Sequence, residues 1–124
     1  MSEILIDHVL LDRVTKAAKE SLRLRMNYNF HESLSSPSQR LLNALEPGTV
    51  LPIHRHRHTA ETYVLLRGRM RVLFYDDDKK EINRYELDPA EGTYGVNIPR
   101  GQWHTIEVLC AGTVIFEVKD GPYI

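Results

Sequence analysis

GTVLPIHRHRHTAETYVLLRG, residues 48–68, is the stretch whose reading decides what this chain is. Three imidazoles, His54, His56 and His58, alternate there with Arg55 and Arg57. Five side chains that can all carry positive charge repel one another in so short a run. A solvated basic loop is one reading and a metal site is the other. On an extended strand the three histidines project from one face, with successive pairs about 6.5–7 Å apart. Two imidazoles at i and i+2 can lean together onto one ion, but a third on the same straight strand lies too far off. The pair is therefore either His54 with His56 or His56 with His58. Glu61 follows His54 by seven residues and His56 by five. Both offsets are odd, so on an unbroken strand it faces the other way. A turn around Thr59-Ala60 resets the parity and lets a neighbouring strand bring Glu61 back inward. If His58 belongs to that turn, His54 and His56 are the strand pair and His58 sits at the rim.

Working outward, the chain before this stretch starts helical. Residues 7–24 form an amphipathic helix in this reading: Asp7 can cap it, and Leu10, Leu11, Val14, Ala17, Ala18 and Leu22 recur at helical spacing. RMNYNFHESLSSPS, residues 25–38, reads as a polar connection in which Asn27, Asn29 and His31 alternate. From residue 39 the pattern is β throughout, with strands expected at 39–46, 49–56, 61–67, 69–75, 82–87, 93–98, 103–109 and 113–119. Turn chemistry at Pro47-Gly48, Gly68, Asp76–Lys80, Pro89–Gly92, Pro99-Arg100-Gly101 and Ala111-Gly112 separates most of them. Many short strands at close spacing indicate a sandwich or barrel with the helix packed outside.

Strand parity assigns the interior. His104, Ile106 and Val108 share one face, Met70, Val72 and Phe74 another, and Val114, Phe116 and Val118 a third. Leu51 and Ile53 point away from the histidines and need a cover, from the helix or from a second subunit; a homodimer is expected on that ground. An inward His104, following the turn at Pro99-Arg100-Gly101, supplies a fourth ligand beside His54, His56 and Glu61. Three neutral imidazoles and one carboxylate make a mixed N/O set that suits one divalent transition metal ion: Zn, Fe, Mn, Ni or Cu.

These residues carry a resemblance. Gly48, five residues, His54-Arg55-His56, four residues, Glu61, six residues and Gly68 fit the first motif of the cupin superfamily without a gap. Gly92, six residues, Pro99-Arg100-Gly101, two residues and His104 resemble its second motif, with one residue more than usual before the proline and Val108 where that motif ends in asparagine. RMNYNFHES, SQRLLNALEPGTVLPIHRHRH, ETYVLLRG, IPRGQWHTIEVL and FEVKDGPY together look like the WbuC-type cupin-fold metalloproteins, a small bacterial family often associated with O-antigen and other surface-polysaccharide loci. The resemblance implies a mainly β, single-domain jelly-roll β-barrel over residues 39–124, with residues 1–38 forming the external N-terminal helix and a connecting segment. It implies a metal held in the barrel mouth by His54, His56, Glu61 and His104. Asn27, Asn29, His31, Arg40, His58 and Trp103 are the candidate ligand-binding residues around it. Arg55, Arg57 and Arg100 are candidates for recognising an anionic group, with a plain solvated face as the competing reading.

Composition bounds the partners. Of 124 residues 16 are basic and 17 acidic, so the formal charge is −1 and the chain carries no field to draw it to nucleic acid or anionic lipid. No run of about 18 apolar residues occurs, and MSEILIDHVLLDRV lacks the shape of a secretory signal. A single cysteine, Cys110, fits a reducing compartment. A cytoplasmic protein with a small-molecule partner, without nucleic acid or membrane, is expected. The function expected is metal-dependent binding of, or action on, a sugar-like or carboxylate molecule in surface-polysaccharide metabolism, with an isomerase or related sugar-modifying activity as the enzymatic form. The alternatives are a non-catalytic sensor of a small ligand and a metal-dependent dioxygenase.

Overall fold

Asp7 is extended, and its carboxylate accepts the Leu10 N–H at 3.0 Å, starting helix α1, His8–Glu20. Leu10, Leu11, Val14 and Ala18 fall on one stripe of α1 and are buried against Leu42, Ala44 and Val114 of the sheet below. Each fully buried aliphatic side chain of this kind stabilises the fold by roughly 1.5–3 kcal/mol. The helix stops four residues before the expected end. Ser21 turns extended and Leu24 takes a left-handed φ of 57°, so Leu22 is fully exposed instead of joining the apolar stripe.

The computed structural model describes residues 2–122, so residues 123 and 124 of the expected 39–124 barrel lie outside the described residues. After α1 come strands β1 (Arg25–Asn29), β2 (Ser38–Leu45), β3 (Glu61–Arg67), β4 (Met70–Tyr75), β5 (Glu81–Leu87), β6 (Gly95–Ile98), β7 (Trp103–Val108) and β8 (Thr113–Asp120). A short 3-10 turn, Pro89–Glu91, lies between β5 and β6. The strands form a five-stranded sheet in the order β1-β2-β8-β3-β6 and a three-stranded sheet in the order β5-β4-β7, antiparallel throughout. Leu45, Leu65 and Ile115 of the larger sheet meet Met70, Val72 and Ile106 of the smaller in one core. This is the jelly-roll barrel, with α1 outside it.

Three expectations need correction. Residues 25–29 are a strand, not a connection. They add β1 to the edge of β2 with Arg25 opposite Leu45, and the alternation of Asn27 and Asn29 with Met26 and Tyr28 is that of a strand with one face toward the barrel. Residues 49–56 are not a strand: Pro52 has no N–H to donate, and only His54 makes a bridge, to His104. On β8, Val114 and Phe116 do not face the barrel interior. They pack under α1, while Ile115 and Glu117 face inward. Leu51 packs against the barrel core, so its burial needs no second subunit.

A β-bulge between Leu65 and Arg67 places Arg67 opposite Val114, on the helix side. There its guanidinium donates to Asp12 at 2.7 Å, Thr15 at 2.9 Å and the Gly112 carbonyl at 2.9 Å, clamping α1 to the sheet. The next residue, Gly68, turns the chain into β4 with φ of +96°. A Cβ there would collide with the Thr113 hydroxyl and lie 2.6 Å from the Thr113 Cα. Gly68→Ala is expected to destabilise the fold by more than about 2 kcal/mol, read as a lower urea midpoint. An unchanged midpoint would show that the β3–β4 turn does not require this close approach.

Candidate metal centre

Four ligand atoms converge where the two sheets meet. Glu61 opens β3 in the larger sheet, and His104 lies on β7 in the smaller, opposite Phe74. The segment carrying His54 and His56 is tied to β7 by two backbone bonds, His54 N–H to the His104 carbonyl at 3.0 Å and His104 N–H to the His54 carbonyl at 2.8 Å. One ligand atom from each of His54, His56, Glu61 and His104 lies within 4.8 Å of all the others. Glu61 Oε1 is 2.8 Å from His104 Nε2 and 3.6 Å from His56 Nε2.

The rings are aimed by the backbone. His54 Nδ1 lies 2.9 Å from the Pro52 carbonyl and His104 Nδ1 lies 2.8 Å from the Gln102 carbonyl. A carbonyl only accepts, so each Nδ1 carries the proton and each Nε2 presents a lone pair to the centre. His104 Nε2 is buried and makes no well-aligned hydrogen bond, even at 2.8 Å from the Glu61 carboxylate. Two lone-pair donors facing each other across that gap call for a cation between them. Metal–ligand bonds of about 2.0–2.2 Å place neighbouring donors about 3 Å apart, so the donor set fits a transition ion.

Electrostatics agree with that fit. Burial lowers the pKa of His54, opposed by its bond to the Pro52 carbonyl, and burial likewise lowers that of His56 against the pull of Glu61. Both imidazoles are thereby kept neutral, as metal ligation requires. Burial alone would raise the Glu61 carboxyl, but the close His104 contact and the charges of His56, His104 and Lys119 outweigh it and hold it below the ordinary value. The Tyr63 hydroxyl donates to Glu61 Oε1 at 3.0 Å and fixes the carboxylate from the side.

His54, His56 and Glu61 sit in the wall of a cavity of about 510 Å³, with His104 buried beside them. Asn27, Asn29 and His31 line it as well, and His31 is buried with Nδ1 3.1 Å from the Arg40 amide nitrogen. Arg40, His58 and Trp103 do not line it. The Arg40 side chain lies in a separate depression with Phe30 and Glu32. His58 is exposed and outside the four-residue cluster. Trp103 lies between Arg55, 4.5 Å from its ring centroid, and Lys79, 4.8 Å away. Arg55, Arg57 and Arg100 are likewise absent from the cavity lining.

The sequence reading missed Glu117, Lys119 and Asn43, which also line the cavity. The signal was available. Cross-strand partners share a face, and Glu117 pairs with Tyr63 and Lys119 with Glu61, so an inward Glu61 makes both inward. Glu117 is buried. Burial first, and then the charge of Glu61, raise its pKa to about 7 against Lys119, whose Nζ is 3.8 Å away, and Asn43.

Several solved structures share this fold. The Cnp3 cupin domain of Schizosaccharomyces pombe superposes with a TM-score of 0.61 at 11% identity, over 77% of this chain and 64% of that one. CapF from Staphylococcus aureus, described as a capsular polysaccharide assembling protein, gives 0.61 at 20% identity over 77% of this chain and 29% of its own. The BH2720 protein of Bacillus halodurans gives 0.62 at 15% identity, over 98% of this chain and 84% of that one. The chain thus has the cupin fold, while spanning less than two-thirds of the yeast domain and under a third of CapF. It belongs to the family described as a domain of unknown function, DUF6016, whose model matches residues 6–87. That match includes the first histidine motif and ends before His104. No curated protein matches the sequence.

The Glu117 assignment has a pH signature. Its folded pKa, about 7, lies above the ordinary 4.5, so the unfolded chain releases this proton first as pH rises. The contribution to stability is full below about pH 4.5 and is lost as pH climbs through about 7, by up to about 3 kcal/mol. In chelator-treated protein the melting temperature should fall over this range, and Glu117→Gln should flatten the fall. Parallel profiles would mean that Glu117 is not a buried acid.

Proposed function

We propose that the chain is a metal-dependent cupin that binds one divalent transition ion through His54, His56, Glu61 and His104 and acts on a sugar-like or carboxylate small molecule. The observation that carries this is the facing pair of donors, His104 Nε2 and Glu61 Oε1, 2.8 Å apart within a cluster of four, three of which line a cavity of about 510 Å³. When bound, such an ion supplies Lewis acidity to a ligand oxygen, and a four-ligand protein set leaves it open positions. Three imidazoles and a carboxylate suit Zn, Fe, Mn, Ni or Cu.

The chain's own residues supply the rest. Tyr63 orients the Glu61 carboxylate. Asn27 and Asn29, on the cavity face of β1, offer amide donors and acceptors to ligand hydroxyls. Glu117 is the one carboxyl besides Glu61 among the described residues lining the cavity, and with a pKa near 7 it can hold or release a proton beside the ligand. This favours a proton-moving, isomerase-like activity over simple binding. CapF, a capsular polysaccharide assembling protein, and the WbuC-type resemblance both support a place in surface-polysaccharide metabolism.

Elemental analysis after native purification should give about one metal ion per chain. His56→Ala should weaken metal binding more than about tenfold, and His58→Ala should leave it unchanged. Full occupancy in the His56 variant would remove the metal-centre reading.

A further inference from the structure

At the end of the cavity away from Glu61 are two arginines, Arg23 and Arg25. Thr49 ties the Arg23 backbone to the Arg25 guanidinium: its hydroxyl donates to the Arg23 carbonyl at 2.6 Å and accepts from Arg25 Nη1 at 3.3 Å. The same Nη1 donates to the Val50 carbonyl at 3.1 Å. Among the described residues neither arginine is in an ion pair. Both residues line the cavity two positions apart in the chain, and partial burial followed by the charge of Arg23 lowers the Arg25 pKa. The chain thus maintains an uncompensated positive pair on a cavity, which is the arrangement that recognises an oxyanion.

The wall between this pair and the metal centre is built from the segment that follows Val50. Leu51 and Pro52 line the cavity, and His54 is only four residues beyond Val50. Four residues span at most about 14 Å. Along the opposite wall Asn27 and Asn29 follow Arg25 on the same strand face, and the buried Asn43 Oδ1 has no hydrogen-bond partner. An acceptor buried without a donor is costly unless a ligand hydroxyl fills the role. The cavity therefore offers, in order, open metal positions, amides suited to hydroxyl groups, and paired guanidiniums.

We propose that Arg23 and Arg25 form an oxyanion subsite, and that the ligand is a polyhydroxylated acid whose oxygen-rich head meets the metal and whose far end carries a phosphate ester or second carboxylate. This rests on the metal-centre reading and adds the other end of the ligand to it. The carboxylate or carbonyl head is selected by the ion, the intervening hydroxyls by the asparagines, and the tail charge by the arginines.

Calorimetric titration of the metal-loaded chain with matched acids tests this. The probes are glycerate and 3-phosphoglycerate, erythronate and its 4-phosphate, gluconate and its 6-phosphate, and the dicarboxylate glucarate. At one chain length the anionic tail should tighten binding by about tenfold or more over the parent acid. Glucarate against 6-phosphogluconate tells a carboxylate tail from a phosphate. Arg23→Ala, whose exposed side chain makes no hydrogen bond, should lose most of that gain, while metal content and the parent acid's affinity stay unchanged. Arg25→Lys, which retains charge but not the paired geometry, should lose part of it. Equal affinities across the whole series, or a gain untouched in the Arg23 variant, would overturn the subsite while leaving the metal centre standing. A chain that binds no metal would overturn both, and elemental analysis of the same sample distinguishes the two failures.

Discussion

The reciprocal backbone hydrogen bonds between His54 and His104 are the contact on which the site depends. Residues 49–58 belong to no strand, and Pro52 cannot donate to a ladder. Beyond the bridge, the backbone from Leu51 onward is held by single hydrogen bonds, from the Thr105 hydroxyl to the Leu51 carbonyl and from the Gly101 amide to the His56 carbonyl. All three anchors lie on β7 or on the turn that leads into it. Ligands from an irregular segment are thereby fixed against one on a regular strand, and Glu61 approaches from the other sheet. Pre-organisation of this kind is what gives a constellation of side chains its affinity, because little ordering remains to be done on binding.

The same cavity holds two carboxyls on neighbouring strands whose surroundings push them in opposite directions. Glu61 is ringed by imidazoles and by Lys119, and stays ionised in spite of burial. Glu117 is as deeply placed, but it feels the charge of Glu61, and Lys119 at 3.8 Å does not offset that cost. One is held as a negative charge, as a cation ligand would be. The other retains a proton near neutrality. Such a division of labour between adjacent carboxyls arises from environment alone, since the two side chains are chemically the same.

The core of the four-residue cluster was legible in the sequence because its information is local. His54, His56 and Glu61 fall within eight residues, and the turn before His104 marks its place on a strand. The cavity's other residues were harder to read. Glu117 shares the inward face with Ile115, while Val114 and Phe116 face α1; the strand buries both faces, so hydrophobic alternation pointed to the wrong side. Residues 25–29 have the composition of a linker and become a strand only because the edge of β2 is there to receive them. Arg23 fell within the expected helix, 7–24, and Arg25 in the expected connection, 25–38. The helix in fact ends at Glu20, and the chain turns through Leu24 to bring them to the end of the cavity away from Glu61. The basic residues within HRHRH, by contrast, drew attention by position and are turned outward.

Arg55 stacks on Trp103, the chain's single tryptophan, directly behind the pair of segments that present His54, His56 and His104. Any displacement of the histidine segment away from β7 must pull that guanidinium off the indole. Indole emission responds to a cation lying on its ring, so the molecule carries a built-in optical gauge of whether its loop is seated. Because Trp103 lies outside the cavity, a ligand can enter without touching the fluorophore, and a change in its light would report movement of the protein backbone.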